Sequence, residues 1–358
     1  MDLSIKVKLL IIFILISVTP TAVAVLYADQ VDTNDIKTQL FGTLSGVSKL
    51  VGLNFFDYLE RNGRSVYSTA GVLSSKDPSL WSALIEPLKT REGVILYLVA
   101  DSNGKVAAVT DPSKWAGTWA AIGSDISGKA FFSEMKSGVE YRYSESDQGK
   151  VYYSLPFNDS ISNSAKPLVV AFGKQFAGTD GKTYYLCLIS DWYSAAQGKI
   201  LVRLDSVFGE IGSNVFTPTE SGNQIWADTN SGRVGTFLQA SAFGDAWSFY
   251  KSVSQKRPNS IADLSPDTAE YTLNGQGRFV GVGMAPSWYP YSLGFFAYVT
   301  NPERVYAMAS ESTKWNFTIA GGVILGSLVL AFLATRGISS SVKKVSEDAK
   351  KIASGDLR

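Results

Sequence analysis

Residues 94–110 read VILYLVADSNGKVAAVT, and the fold class turns on this stretch. Residues 94–100 are apolar, rich in β-branched and aromatic side chains, the composition of a buried strand. Asp101-Ser102-Asn103-Gly104 follows, and Asn-Gly supplies the positive φ of a tight turn. Residues 105–110 return as a second strand. Two strands joined by so short a turn pair antiparallel, so a hairpin opens a sheet.

Downstream, residues 150–155, 168–172 and 182–189 read as further strands, with Asp180-Gly181 turning the chain before the last of them. Residues 199–204 read as another strand, running into a short connecting helix over 205–211. The pattern then recurs more briefly. Residues 224–228 read as a strand, Asn230-Ser231-Gly232 as a turn and 269–273 as a strand. Asn274-Gly275 turns into 279–285, and 291–299 comes last. No strict sequence repeat accompanies the recurrence. Upstream, Ile36, Leu40, Leu44, Val47, Val51, Phe55 and Tyr58 recur every three or four residues, as on one face of a helix. That stripe runs for roughly 35 Å at 1.5 Å per residue, a stalk alongside a domain. The expectation is α+β: a long helix over 30–75, a first antiparallel module over about 90–210 and a second over about 211–305.

Composition narrows the function. Charged residues are 18% of the 358, below the roughly one quarter of a typical soluble domain. A net charge of +1 offers no basic face for nucleic acid. There is no histidine, which removes His-based triads, the usual zinc sites and a phospho-accepting histidine from this chain. The single cysteine, Cys187, lies in an apolar run and reads as a buried, inert thiol. No metal site and no cofactor is read.

Two long uncharged runs account for part of the low charge. Residues 9–28 follow Lys6 and Lys8, and their 20 residues match the roughly 30 Å hydrocarbon core of a bilayer. Residues 315–335 form the second run, with Trp315 at one end and Arg336 past the other. Lys343, Lys344, Lys350 and Lys351 lie beyond. Positive residues flank the outer ends of both runs, so both chain termini are expected in the cytoplasm and residues 29–314 outside. The expectation is a multi-pass protein of the plasma (inner) membrane, with residues 1–8 as a cytoplasmic tail. Ala22-Val23-Ala24 also has the small-x-small form of a signal-peptide cleavage site. The run is long enough to span and the helical pattern continues past it, which favours an uncleaved anchor. Gly322 and Gly326 have the small-xxx-small spacing that lets membrane helices approach.

Past the second run, Ile338, Val342, Val345, Ala349 and Ile352 follow a heptad a/d stripe, and Gly355 and Asp356 close it. Lys343-Lys344-Val345, Ala349 and then Ile352-Ala353-Ser354-Gly355-Asp356-Leu357 resemble the first half of a HAMP domain, over 336–358. HAMP domains usually carry a proline shortly after the membrane helix, where this chain has Ser340 or Ser341. A second HAMP helix and any output module are expected beyond Arg358.

The region between the runs resembles the double Cache sensor domain, a long helix carrying two PAS-like modules. Asp101-Ser102-Asn103-Gly104-Lys105-Val106 resembles the first hairpin of the membrane-distal module, and residues 123–132, GSDISGKAFF, its G-x-D-x-x-x-R-x-Y-F string. Residues 277–286 and 293–299 resemble the last two strands of the membrane-proximal module. The resemblance covers most of residues 30–310. It implies a homodimeric receptor held together by the membrane and HAMP helices, in contact with lipid and with cytoplasmic signalling partners. It also implies a small-molecule ligand in the distal module. Candidate ligand residues there are Trp115, Trp119, Lys129, Phe131, Phe132, Tyr141, Tyr143, Tyr152, Tyr153 and Asp191. Tyr152 and Tyr153 must point to opposite faces of a strand. Lys129 would hold a carboxylate and Asp191 an ammonium, which suits a small carboxylate or an amino-acid-like molecule. Amino-acid-binding members have an arginine where this chain has Lys129, a point charge without the bidentate fork. The leading expectation is a methyl-accepting chemotaxis transducer, not an enzyme in this chain. The alternative is the sensor of a histidine kinase, nucleotide cyclase or phosphatase whose catalytic domain lies past Arg358. A third class, an exported enzyme or tethered binding protein, would need paired carboxylates for acid–base chemistry, and no compelling pair is present.

Overall fold

The computed structural model describes residues 5–353, apart from 207, 220–221, 239–245 and 274. The chain divides into two units. One is Phe41–Pro302; the other joins Met1–Leu40 with Glu303–Arg358.

The Phe41–Pro302 unit is built on the C-terminal part of α1 (Ile5–Leu73). Leu44, Val47, Val51, Phe55 and Tyr58 of the apolar stripe are all buried. A short helix, α2 (Trp81–Ile85), leads to β1 (Val94–Asp101) and β2 (Val106–Val109). The turn between them is locked by the Asp101 carboxylate, which accepts from the Asn103 and Lys105 amides at 2.8 and 2.9 Å. Gly104 has φ +87°, and a Cβ there would meet the Ser127 amide nitrogen at 2.7 Å. Only glycine meets both demands. Next come α3 (Ala130–Lys136), β3 (Tyr141–Arg142), β4 (Lys150–Tyr153), β5 (Phe157–Asn158), β6 (Leu168–Ala177), β7 (Thr183–Asp191) and α4 (Trp192–Ala195). Among the described residues these strands form one sheet in the order β2-β1-β7-β6-β4-β3, with β5 beside β6. Cys187 lies in its central strand β7, and burial pushes its thiol pKa up.

A second sheet follows from β8 (Leu204–Ser206), β9 (Gly209–Thr219), β10 (Gly222–Asp228), β11 (Asp267–Leu273), β12 (Gln276–Met284) and β13 (Gly294–Val299), with α5 (Ala246–Ser254) between β10 and β11. Its order is β10-β9-β13-β12-β11, with β8 beside β9. All pairings in both sheets are antiparallel. With the side strands β5 and β8 set aside, both follow the same path: second strand, first, last, then the rest in reverse. The unit is α+β, a long helix with two tandem antiparallel sheets. Two local expectations are corrected. The strand expected over 199–204 is a π turn over 196–200 with β8 only from Leu204, and the helix expected over 205–211 is replaced by β8 and β9.

α1 docks on both sheets. On the second, the Ser48 hydroxyl donates to the Gly281 carbonyl at 2.9 Å, and Phe41 meets Phe279 edge-on. On the first, the Ser65 and Tyr97 hydroxyls bond at 2.7 Å, and Tyr58 packs on Phe172.

In the other unit, residues 9–28 lie within α1, and α6 (Pro302–Ala353) supplies the second long helix. Among the described residues, Pro302–Ala334 is long and apolar enough to cross a membrane. Pro20, Thr21 and Ala24 of α1 share an apolar groove with Ile319, Ala320 and Val323 of α6. Phe317, Leu325, Leu330 and Phe332 are exposed. Ile338, Val342, Val345, Ala349 and Ile352 lie on α6, while Gly355 and Asp356 fall outside the described residues.

Candidate functional site

The first sheet carries a cavity of about 400 Å³ on the face covered by α3. α3 starts immediately after Lys129, and Phe131, Phe132 and Met135 turn into the core while Lys129 and Glu134 reach the cavity. The far wall is β4, residues 154–156 and β5, with Tyr152, Phe157 and Asp159. Phe131 and Phe157 stack at 5.9 Å between ring centroids.

Asp159 organises the polar side. Its carboxylate accepts from Lys129 Nζ at 2.9 Å, from Trp119 Nε1 at 3.1 Å and from the Ile161 amide at 3.1 Å. Burial pushes its pKa up, but the bonds from Lys129, the Ile161 amide and Trp119 outweigh burial and hold it below the ordinary carboxylate value. Lys129 Nζ also sits 4.4 Å from the centroid of the Trp119 ring, a cation–π contact. Opposite, the Tyr152 hydroxyl donates to Glu134 Oε2 at 2.7 Å. Burial, with the Glu134 carboxylate beside it, raises the Tyr152 pKa, so the phenol stays neutral and a donor. The cavity thus presents one ammonium and two carboxylates beside a stacked aromatic pair.

Tyr291 also lines this cavity, from the segment before β13 of the second sheet. Its ring lies edge-on to Tyr141 at 5.5 Å, and Tyr289 stacks on Tyr153 at 5.8 Å. Tyr289 meets Phe55 and Phe56 of α1 as well. The four tyrosines form one cluster from the cavity rim to the long helix.

Of the residues expected at the site, Lys129, Phe131 and Tyr152 line the cavity, and Trp119 braces its acid. Trp115 and Phe132 are buried in the adjoining core. Tyr141 and Tyr153 lie in the tyrosine cluster, with Tyr153 on the sheet face opposite Tyr152. Tyr143 is buried against α1, and its hydroxyl donates to Asp147 at 3.0 Å. Asp191 does not face Lys129. It caps α4, accepting from the Ser194 amide at 3.0 Å and the Ser194 hydroxyl at 2.8 Å. The acid opposite Lys129 is Asp159, which with Glu134 and Tyr291 was not foreseen. Asp159 sits two residues before Ile161 in a polar loop, and the one local signal is that an aspartate in such a loop often accepts the amide two residues on.

The fold has solved counterparts. The ligand-binding domain of the Pseudomonas fluorescens chemoreceptor CtaA, in complex with L-isoleucine, superimposes with a TM-score of 0.50 at 11% identity, over 77% of this chain and 98% of that one. The sensory domain of the Campylobacter jejuni chemoreceptor Tlp3 gives 0.50 at 13% identity, over 76% and 98%. The Phe41–Pro302 unit has the double Cache fold. In that fold the first sheet is the distal module and the second the proximal one, and the cavity under α3 belongs to the distal module. No family model and no curated protein matches the double Cache chain by sequence.

Proposed function

We propose that this chain is the sensory part of a transmembrane receptor and that its distal cavity binds a small zwitterionic, amino-acid-like molecule. The observation that carries the reading is the cavity beneath α3, where Lys129, Asp159 and Glu134 converge beside Phe131 and Phe157. Its size falls within the roughly 300–1,000 Å³ of ligand pockets. Lys129 would pair with the ligand's carboxylate, and Asp159 and Glu134 with its ammonium. The fold counterpart CtaA was solved with an amino acid, L-isoleucine, bound. In this chain a lysine offers a point charge, so the carboxylate is held by charge more than by a bidentate fork.

Residues 9–28 and 315–335 serve as the two membrane helices in this reading. Residues 29–314 form the sensor outside the membrane, and 336–358 begin a HAMP domain. The long apolar segment of α6 and the exposed Val345 of the heptad stripe support membrane insertion and pairing with a second copy. The output is of the chemotaxis-transducer type in the plasma (inner) membrane. Ligand at Tyr152 and Tyr291 would shift the tyrosine cluster against Phe55 and Phe56, biasing one of two helix arrangements.

The test is thermal unfolding of the full chain in detergent micelles against amino acids, small carboxylates and amines. A ligand at 100 times its Kd adds about 2.7 kcal/mol to the folded state. The expected outcome is a rise in Tm with one zwitterionic class, lost in Lys129→Ala and kept in Asp191→Ala. A panel with no shift overturns small-molecule sensing and leaves a partner protein or a physical stimulus as the input.

A further inference from the structure

Three charged side chains line the distal cavity, Lys129, Asp159 and Glu134. Two of them cancel. Lys129 Nζ lies 2.9 Å from Asp159 Oδ2, and Asp159 is buried. Glu134 is the one left over. It is exposed at the cavity, its Oε2 accepts from the Tyr152 hydroxyl at 2.7 Å, and among the described residues it makes no ion pair. The Tyr152 phenol is neutral, so that bond leaves the negative charge in place. Burial raises the Tyr291 pKa, with Tyr141 and the Glu134 carboxylate adding to it, so this second phenol on the wall is neutral too.

The helix sets Glu134 apart from the pair. Ala130, next to Lys129, lines the cavity, and so does Glu134 one turn later. The Glu134 backbone is therefore about 6 Å further along the axis of α3 than that of Ala130. A simple zwitterion brings one carboxylate and one ammonium, and Lys129 and Asp159 answer both. Glu134 then keeps a charge that nothing on the protein meets. An apolar ligand side chain beside it would strip water from the carboxylate without replacing the lost bonds. A second ligand carboxylate would meet like charge. A cationic head group would form a charge-assisted bond, while its methylene stem could lie against the stacked Phe131 and Phe157 rings.

We infer that the distal cavity, on the reading that it holds a zwitterion, takes an amino acid whose side chain ends in a second cation. Asp159 meets the α-ammonium, Lys129 the α-carboxylate and Glu134 the side-chain cation. One ammonium and two carboxylates on the protein are then matched by one carboxylate and two cations on the ligand.

The experiment is calorimetric titration of the full chain in micelles, at pH 7 and matched ionic strength, with L-lysine, L-norleucine and L-glutamate. Norleucine is lysine without its terminal ammonium, so the pair isolates that one charge. Lysine is expected to bind about fivefold more tightly than norleucine, the size of an exposed ion pair, and glutamate more weakly than either. Glu134→Gln keeps an acceptor for Tyr152 but removes the charge. In that variant lysine should fall to the level of norleucine, while norleucine itself is unchanged. The inference is overturned, with the zwitterion reading intact, if norleucine or glutamate binds the wild type as tightly as lysine. A lysine preference that survives in Glu134→Gln overturns it in the same way. If none of the three binds, the zwitterion reading falls and takes the inference with it.

Discussion

Three donors converge on the Asp159 carboxylate, and the pH dependence of that contact has a definite sign. Its folded pKa lies below the unfolded value, so its stabilisation is fully present above about pH 3.9 and is lost as pH falls through the folded value. Asp159→Asn removes that contribution. The variant is expected to melt below the wild type at pH 7, and the gap should narrow as the pH drops below about 4. Equal gaps at pH 7 and pH 3 would show that the carboxylate's charge does not matter. The sequence displayed the cation of this pair but not its acid. Lys129 stands beside two phenylalanines in a recognisable string, whereas Asp159 is 30 positions away, in a loop whose path only the sheet fixes. Asp191, nearer to an apolar strand, looked the better partner, but a carboxylate just ahead of a helical turn is drawn to the free amides there. The Tyr152–Tyr153 pair was legible in part. Strand alternation required the split, but which ring met Glu134 depended on α3 lying on one face and α1 on the other.

Among the elements, α1 tests the packing most directly. Gly63 faces the Tyr143 side chain, and a Cβ there would come 2.5 Å from Tyr143 Cβ. Gly63→Ala is expected to lower stability by about 1–3 kcal/mol, the usual cost of overpacking, despite alanine's better helix propensity. Chemical denaturation would measure it; a variant as stable as wild type would show that α1 and the Tyr143 side chain just after β3 do not meet this closely. The apolar stripe of α1 and the first hairpin were readable because each is encoded locally, by a period of 3.6 or by Asn-Gly after a β-branched run. Strand β9 was not. The approach to it, with Phe208 and Ile211 three apart, imitates a helix, and its middle carries Gly212, Ser213 and Asn214. Those residues are tolerated because β9 is central, between β10 and β13, and wholly buried from 211 to 217. The Ser213 hydroxyl donates to the Val202 carbonyl at 2.9 Å, which satisfies it away from water. The common strand path of the two sheets left no sequence repeat, since each module needs only its own apolar pattern to reach it.

Across the Phe41–Pro302 unit, the two modules are joined by aromatic packing. Tyr289 touches Tyr153, Tyr291, Phe55 and Phe56 and is buried. Tyr289→Ala is expected to cost about 3–5 kcal/mol, as for other large aromatic truncations, and to separate the unfolding of the modules. Denaturant titration should then show two transitions where the wild type shows one. Trp226 and Trp288 report on the proximal module, and Trp81 and Trp115 on the distal one. A single shifted transition in the variant would mean that the modules are coupled by other contacts, such as the Trp192 indole bonded to the Trp226 carbonyl. α1 itself meets the proximal sheet at Ser48 and the distal sheet at Ser65. Along a helix each added residue advances the axis by about 1.5 Å and turns it by about 100°. One residue inserted between those two points would therefore swing every distal contact off its sheet. Seven would nearly restore the angle but push the contacts about 10 Å too far. This span of helix is an indexed shaft whose phase and length are fixed together.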